Sequence, residues 1–409
     1  MKRLIAAAWL VPALAAPLAA PAAAATSQEH ARPADEGWAG AWGYATSPAT
    51  GSVKTENQEG TYRYRIRASQ TGDAVRLMLS NPQGARSLHI AAISIARAAG
   101  AEGFALAAAS RRPLAFAAGV GALIAGGQVT ETLSSDFPVT AGEDLLVEIV
   151  TSGPSTAVAG NAAFPAAFAP GTVDAQGTAL QPAKLRPLVT QLAVHNPAAA
   201  CTIVTLGDSI TEGARGTRPD WRGWPGVLSR RLIESRSGPR CGVVNMGISG
   251  NRLLREGRGT AAVDRFMRDV ASVPSVSHLI VLEGVNDIWR ATLPGEPALG
   301  ASDLIAGYRR LIAAAHAKGI RIYGGTITPG FGWKAFTREM EETRQSANAW
   351  IRGAGEFDAV IDFDAALRDT SSPPMVQRRY DSGDHLHPGN GGYEAMGRAI
   401  PLSLFRNTP

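Results

Sequence analysis

Two hydrophobic periodicities meet in this chain, and the change between them near residue 200 limits the fold more than any other feature. Before it, apolar residues alternate with polar ones. Tyr62-Arg-Tyr-Arg-Ile-Arg67, Ala74-Val-Arg-Leu-Met-Leu-Ser80 and Leu88-His-Ile-Ala-Ala-Ile-Ser-Ile95 run with a period near two, and Leu145-Leu-Val-Glu-Ile-Val150 ends a similar run. Turn signals such as Asn81-Pro-Gln-Gly84 separate these runs, with no helical pattern between them. Residues 38–195 are therefore expected to form a β-sandwich, jelly-roll-like in arrangement, closed by a strand at Leu188–Val194. The Ala-, Gly- and Pro-rich stretch 152–185 reads as a long loop, and Asn196-Pro-Ala-Ala-Ala200 as a hinge.

From Cys201 onward strands alternate with helices. Strands are expected at Ile203-Val204, Val243–Met246, His278–Glu283, Ile320–Tyr323 and Ala359–Phe363. Helices are expected around Trp224–Ser235, from a Ser302 cap to Gly319, across Glu341–Arg352, and over Gly391–Phe405 with an interruption near Pro401. Such alternation predicts a parallel sheet covered on both faces, with ligands bound at the strand C-terminal ends. A length of 409 residues suits two domains, here 38–197 and 198–409.

The first 25 residues read as a secretory signal peptide: Lys2-Arg3, then a short apolar run from Leu4, then Ala23-Ala-Ala25 before Thr26. The mature chain is thus expected to be exported, to the periplasm or beyond the cell, and no later run is long and apolar enough for a membrane helix. Only five of the 40 basic residues are Lys, and the Arg residues are scattered rather than clustered with aromatics, so no nucleic-acid footprint is expected. Cys201 and Cys241 open successive strands of the expected sheet, which allows a disulfide between them or two buried thiols.

Against this frame, chemistry concentrates in four segments, each just past an expected strand. Ser209 lies in Thr205-Leu-Gly-Asp-Ser-Ile-Thr-Glu-Gly213, where an α/β enzyme presents a nucleophile. A serine hydroxyl needs a base, and the base needs a carboxylate to hold its tautomer. Asp384 and His387, three residues apart in Asp384-His-Leu-His-Pro388, are the candidates. Donors for an oxyanion are offered by the Ser209 N–H, by the Gly250 N–H in Gly247-Ile-Ser-Gly-Asn251, and by the Asn286 side chain in Gly284-Val-Asn-Asp287. Each segment alone has a structural reading as turn or cap. Their order along the chain carries the case.

Together these blocks resemble the SGNH (GDSL) hydrolase superfamily, over about 202–400. The longer wording, Gly207-Asp-Ser-Ile-Thr-Glu-Gly213 and Tyr380-Asp-Ser-Gly-Asp-His-Leu-His-Pro388 included, is similar to exported bacterial arylesterases and acylhydrolases that carry an N-terminal β-domain. The resemblance implies a flavodoxin-like αβα fold, Ser209 as nucleophile, Asp384 and His387 as the rest of a triad, and Ser209, Gly250 and Asn286 as the oxyanion hole. No Gly-x-Ser-x-Gly elbow is present, which disfavours the α/β-hydrolase fold. No cofactor or metal is called for.

The expected activity is hydrolysis of short acyl esters, acetyl foremost, on a carbohydrate. Alternatives are an arylesterase, a lysophospholipase-like lipid esterase and a non-catalytic glycan-binding protein. Trp289 and Trp333 are the candidates for a substrate rim, where sugar rings stack, while Trp224 and Phe336 read as packing residues. Metal-dependent phosphoester chemistry would draw on Asp208, Asp287, His385 and their neighbours, but the Gly-Asn-His-Asp it expects is here Gly284-Val-Asn-Asp287.

Overall fold

The structure, a computed structural model, describes residues 36–47, 59–81, 86–153, 166–182, 188–199, 201–217, 222–235 and 238–406. The expected signal peptide lies outside the described residues. The antiparallel strands are β1 (Trp38–Gly43), β2 (Gly60–Arg67), β3 (Gly72–Ser80), β4 (Leu88–Arg97), β5 (Arg112–Leu114), β6 (Ala122–Ile124), β7 (Val129–Glu131), β8 (Ser135–Val139), β9 (Asp144–Thr151), β10 (Ala166–Pro170), β11 (Gln181–Pro182) and β12 (Val189–His195). One sheet runs β1-β12-β3-β7, with β8 also on β3. The other runs β11-β10-β2-β9-β4-β5, with β6 also on β4. Val75, Leu77 and Leu79 of β3 share one core with Tyr62, Tyr64 and Ile66 of β2 and Leu145, Val147 and Ile149 of β9, as the period of two requires.

The opposite face of β2 explains its arginines. Arg63 lies opposite Glu148 and Arg67 opposite Asp144 on β9. Arg63 Nε reaches Glu148 Oε2 at 2.6 Å, and Arg65 and Arg67 both donate to Asp144. These are cross-strand ion pairs set by register. The stretch expected to be a loop, 152–185, contains β10 and β11 among its described residues, because an Ala-rich segment with few β-formers still extends the sheet edge beside β2.

The parallel sheet is built from β13 (Thr202–Gly207), β14 (Gly242–Gly247), β15 (Val276–Leu282), β16 (Arg321–Gly325) and β17 (Ala359–Ile361), in the order β14-β13-β15-β16-β17. The first strand lies between the second and third, as in flavodoxin-like doubly wound sheets. The helices are α1 (Ser209–Glu212), α2 (Gly223–Glu234), α3 (Ala262–Phe266), α4 (Val285–Arg290), α5 (Ala301–Ala317), α6 (Arg338–Gly353), α7 (Phe363–Leu367) and α8 (Asn390–Ala399). Alternate strand residues feed two cores. Val204, Leu206, Leu279 and Val281 pack with Leu304, Tyr308 and Leu311 of α5 and Met340 of α6. Ile203, Val243 and Ile280 pack with Trp224 and Leu228 of α2, Phe363 of α7 and Met396 of α8. Full burial of each such side chain contributes about 1.5–3 kcal/mol.

Two expected boundaries move. Gly300, not Ser302, precedes α5, and its N–H donates to Asp303 Oδ2 at 2.8 Å. The last strand stops at Ile361, because Asp362 caps α7 by accepting the Ala365 N–H and draws Phe363 into the helix. Among the described residues no helix is long and apolar enough to cross a membrane.

The edge strand β14 is not left bare. Tyr44, just past β1, forms a parallel bridge with Asn245, and Ser69 Oγ accepts the Val243 N–H at 2.8 Å. Gly43 permits the approach, since a Cβ there would lie 2.3 Å from Val244 Cγ1.

Cys201 and Cys241 stand at the other end of the neighbouring strands, where they form a disulfide with Cα atoms 4.5 Å apart. Among the described residues, the group of Cys, His, Asp or Glu side chains close enough to share an ion is Cys201, Cys241 and His278. Burial, then the charge of Arg321, pushes His278 down to about 4.

Candidate active site

Ser209 starts α1 immediately after β13, so the end of a buried strand aims it at the sheet's C-terminal edge. Asp208 precedes it and accepts the Ile210 N–H through Oδ1 at 2.8 Å. The structure brings Ser209 together with the residues expected to serve it. His387 Nε2 lies 2.8 Å from Ser209 Oγ, and His387 Nδ1 lies 2.8 Å from Asp384 Oδ2. Three residues of separation suffice because the loop folds over Asp384: its Oδ1 accepts the N–H groups of His387 at 2.8 Å and Leu386 at 3.1 Å. Burial raises the Asp384 carboxyl, but these backbone bonds and His387 outweigh it and hold the group down to about 2. With Asp384 ionised, the tautomer that carries the proton on Nδ1 leaves Nε2 free to accept from Ser209.

The loop after β14 carries Gly250 with φ +75°, a left-handed backbone that glycine adopts at no steric cost. Asn286 lies in the first turn of α4 and is 7 % exposed. Its Nδ2 donates to Asp208 Oδ2 at 3.3 Å, and its Oδ1 accepts the Trp289 indole N–H at 3.0 Å. An amide nitrogen carries two protons, so a second one remains for a ligand. Asp287 holds the same loop from below, accepting Leu253 N–H at 2.7 Å and Leu254 N–H at 3.0 Å. Burial pushes Asp287 up to about 6 against those two bonds. It pushes Asp208 up to about 7, opposed by the Ile210 N–H and helped by Asp287 and Glu212.

Trp289 and Trp333 meet edge to face with centroids 5.4 Å apart, both partly exposed. Trp224 and Phe336 are core residues, as their packing reading expected. His385, outside the expected triad, has a left-handed backbone and a 2.6 Å contact from Nδ1 to Asp381 Oδ2. Arg252 pairs with Glu296 at 2.9 Å.

Three residues of the site were not singled out from the sequence. Arg265 is fully buried and ties the strand ends together. It donates to Gly207 O, Met246 O and Asn251 Oδ1 at 3.0, 2.6 and 2.9 Å. Its local sequence offers only Asp269, four residues on, which accepts from Nη1 at 3.0 Å; the other acceptors belong to separate loops and strands. Glu212 was legible only as part of the Ile-Thr-Glu-Gly wording, yet it is 2 % exposed and contacts the Gly250 loop. Arg215 Nε lies 3.4 Å from Asp384 Oδ2.

Residues 205–395 match the GDSL-like Lipase/Acylhydrolase family, a span that contains all four segments. No curated protein matches the chain. Among solved structures, a GDSL-like lipase from Bacteroides thetaiotaomicron is similar at 20 % identity and TM-score 0.38, over 48 % of this chain and 84 % of that one. A catalytic mutant of an acetylxylan esterase from Geobacillus stearothermophilus is similar at 21 % identity and TM-score 0.39, over 48 % of this chain and 91 % of that one.

Proposed function

We propose that this carboxylic ester hydrolase, whose residues 205–395 form a GDSL-like lipase/acylhydrolase domain, is an exported serine esterase that removes short acyl groups, acetyl foremost, from carbohydrate. The observation that carries the reading is the unbroken relay from Ser209 Oγ to His387 to Asp384, with 2.8 Å at each step. His387 Nε2 takes the Ser209 proton as Oγ attacks the ester carbonyl. The tetrahedral oxyanion is held by the N–H groups of Ser209 and Gly250 and by the Asn286 amide. His387 returns the proton to the departing alcohol. Water then attacks the acyl-enzyme with His387 again as base, releasing the acid and restoring Ser209.

The carbohydrate reading is supported by Trp289 and Trp333. They present a partly exposed aromatic corner, and Trp289 bonds the oxyanion candidate Asn286 directly. Export is supported by the expected signal peptide and by the Cys201–Cys241 disulfide, a bond that persists in oxidising compartments.

The test is an acyl-chain-length series on chromogenic esters beside acetate release from acetylated polysaccharides, for wild type and Ser209→Ala. Wild-type acetate release that Ser209→Ala abolishes is expected. Preference for long chains without acetate release would replace the carbohydrate reading with a lipid one, and full activity in Ser209→Ala would remove the nucleophile.

A further inference from the structure

The antiparallel region reaches the Gly250 loop through three groups that the steps above do not use. The Tyr44 hydroxyl, from the end of β1, donates to Glu212 Oε1 at 2.8 Å. Glu212 is the last residue of α1, one turn after Ser209. Its other oxygen, Oε2, accepts the Ser249 backbone N–H at 2.7 Å and also the Ser249 hydroxyl. Gly250 is the next residue. Arg222 Nη2 stands 4.0 Å from Glu212 Oε1 and balances its charge.

The surroundings are built for this contact. A Cβ on Gly247 would lie 2.2 Å from Glu212 N, so only glycine lets α1 seat against the loop. Asn245 closes the same turn, with Nδ2 donating to Thr211 O at 2.8 Å and Oδ1 accepting the Gly247 N–H at 2.9 Å. Downstream, Asp287 holds Leu253 and Leu254. The loop is thus gripped on both sides of Gly250 by buried carboxylates. Peptide planes are rigid, so once the Ser249 N–H is fixed, the direction of the Gly250 N–H depends on the two soft dihedrals of Ser249 alone.

We infer that Tyr44 and Glu212 are positioning residues for the Gly250 N–H, which makes the antiparallel region a working part of the hydrolytic site and not only an appended module. The inference rests on the reading of Ser209 as nucleophile and Gly250 as oxyanion donor. It assigns Tyr44 no contact with substrate: its hydroxyl holds Glu212, Glu212 holds Ser249, and the donor follows.

The experiment measures kcat and KM on 4-nitrophenyl acetate for the full chain, with each kcat divided by the Ser209 concentration titrated with a fluorophosphonate. Glu212→Ala should lower kcat about 10²-fold with KM within about twofold, the scale of a misplaced reacting group. Glu212→Gln keeps an acceptor oxygen for the Ser249 N–H and should recover to within about tenfold of wild type. Tyr44→Phe loses one oxygen atom, and about a fivefold to tenfold drop in kcat is expected. Tyr44→Phe also keeps the test alive if Glu212→Ala does not fold.

Wild-type kcat per titrated site in Tyr44→Phe and Glu212→Ala would overturn the inference. So would losses seated in KM, or a Glu212→Gln no better than Glu212→Ala. Ser209→Ala separates the two levels. Activity retained there overturns the underlying reading and the inference with it, whereas loss there with unchanged positioning variants overturns the inference alone.

Discussion

Opening the Cys201–Cys241 bond should cost about 4 kcal/mol of stability and leave catalysis intact. The bond joins residues 40 apart in sequence. On the chain-entropy account, closing a loop of that size removes about 13 cal/mol/K from the unfolded chain, or about 4 kcal/mol at 25 °C. Catalysis should survive because the two cysteines precede β13 and β14, while Ser209 and Gly250 follow those strands. Six residues at about 3.3 Å each separate the ends by about 20 Å. The assay compares urea unfolding of oxidised protein with protein reduced by dithiothreitol, so that both arms carry the same side chains. A chelator belongs in the reduced arm, since the freed thiols would face His278, whose Nδ1 is 3.8 Å from Cys201 Sγ, and a captured ion would mask the loss. The Cys201→Ala/Cys241→Ala double variant should match the reduced arm, less the small cost of the lost sulfur contacts. Two thiols titrating in unfolded, unreduced protein would refute the reasoning outright. Equal unfolding midpoints in the two arms would refute its energetics, and a large fall in kcat on reduction would refute the separation of the bond from the site.

Asn286→Ala should lower kcat about 10²–10³-fold, as for loss of a single oxyanion donor. Unchanged kcat would take Asn286 out of that role. Gly250→Ala forces a left-handed backbone and sets a Cβ 2.5 Å from Arg258 Cδ, so both the melting temperature and kcat should fall. A variant with wild-type values for both would show that the loop adjusts freely. Asp208 and Asp287 titrate near 7 and 6 in the folded protein, against a carboxylate's usual 3.8, chiefly through burial. The folded state therefore binds protons more tightly than the unfolded one, and stability should decline as pH rises from about 4 through 7. Asp208→Asn should flatten the upper part of that decline. Urea midpoints measured from pH 4.5 to 8 check this, and a rise in stability toward pH 7 that Asp208→Asn leaves unaltered would contradict it.

The sequence disclosed those features whose physics is local. Alternation in Tyr62–Arg67 reflects one strand with a core face and an ion-paired face, and both are present. Strand–helix alternation after Cys201 marks the parallel sheet, and strand ends mark where Ser209, Gly250 and Asn286 must lie. The short reach between Asp384 and His387 is likewise local. What stayed hidden depends on distant contacts. Arg265 is defined by carbonyls from two strands, and no window around residue 265 contains them. Tyr44 and Glu212 are 168 residues apart, so the role of either is invisible until β1 is docked on β14. The stretch 152–185 shows the reverse effect: a segment with weak strand propensity is recruited by the neighbouring strand β2. Apolar residues run up to Phe363 as in a strand, yet one capping aspartate, Asp362, places it in a helix.

The covering of β14 by β1 bears on where this chain can be cut. A parallel sheet offers two rows of unpaired backbone groups, and such rows invite pairing with other molecules. Here one of them is closed off by the chain's own leading segment, through Tyr44, Ser69 and the close packing at Gly43. Severing the chain after β12, which ends at His195, would bare that row together with Val243 and Val244, and would leave Glu212 without its tyrosine. The antiparallel region thus acts as a built-in guard against edge-to-edge aggregation, so solubility of the hydrolase segment and integrity of its site are inherited from the same stretch of sequence.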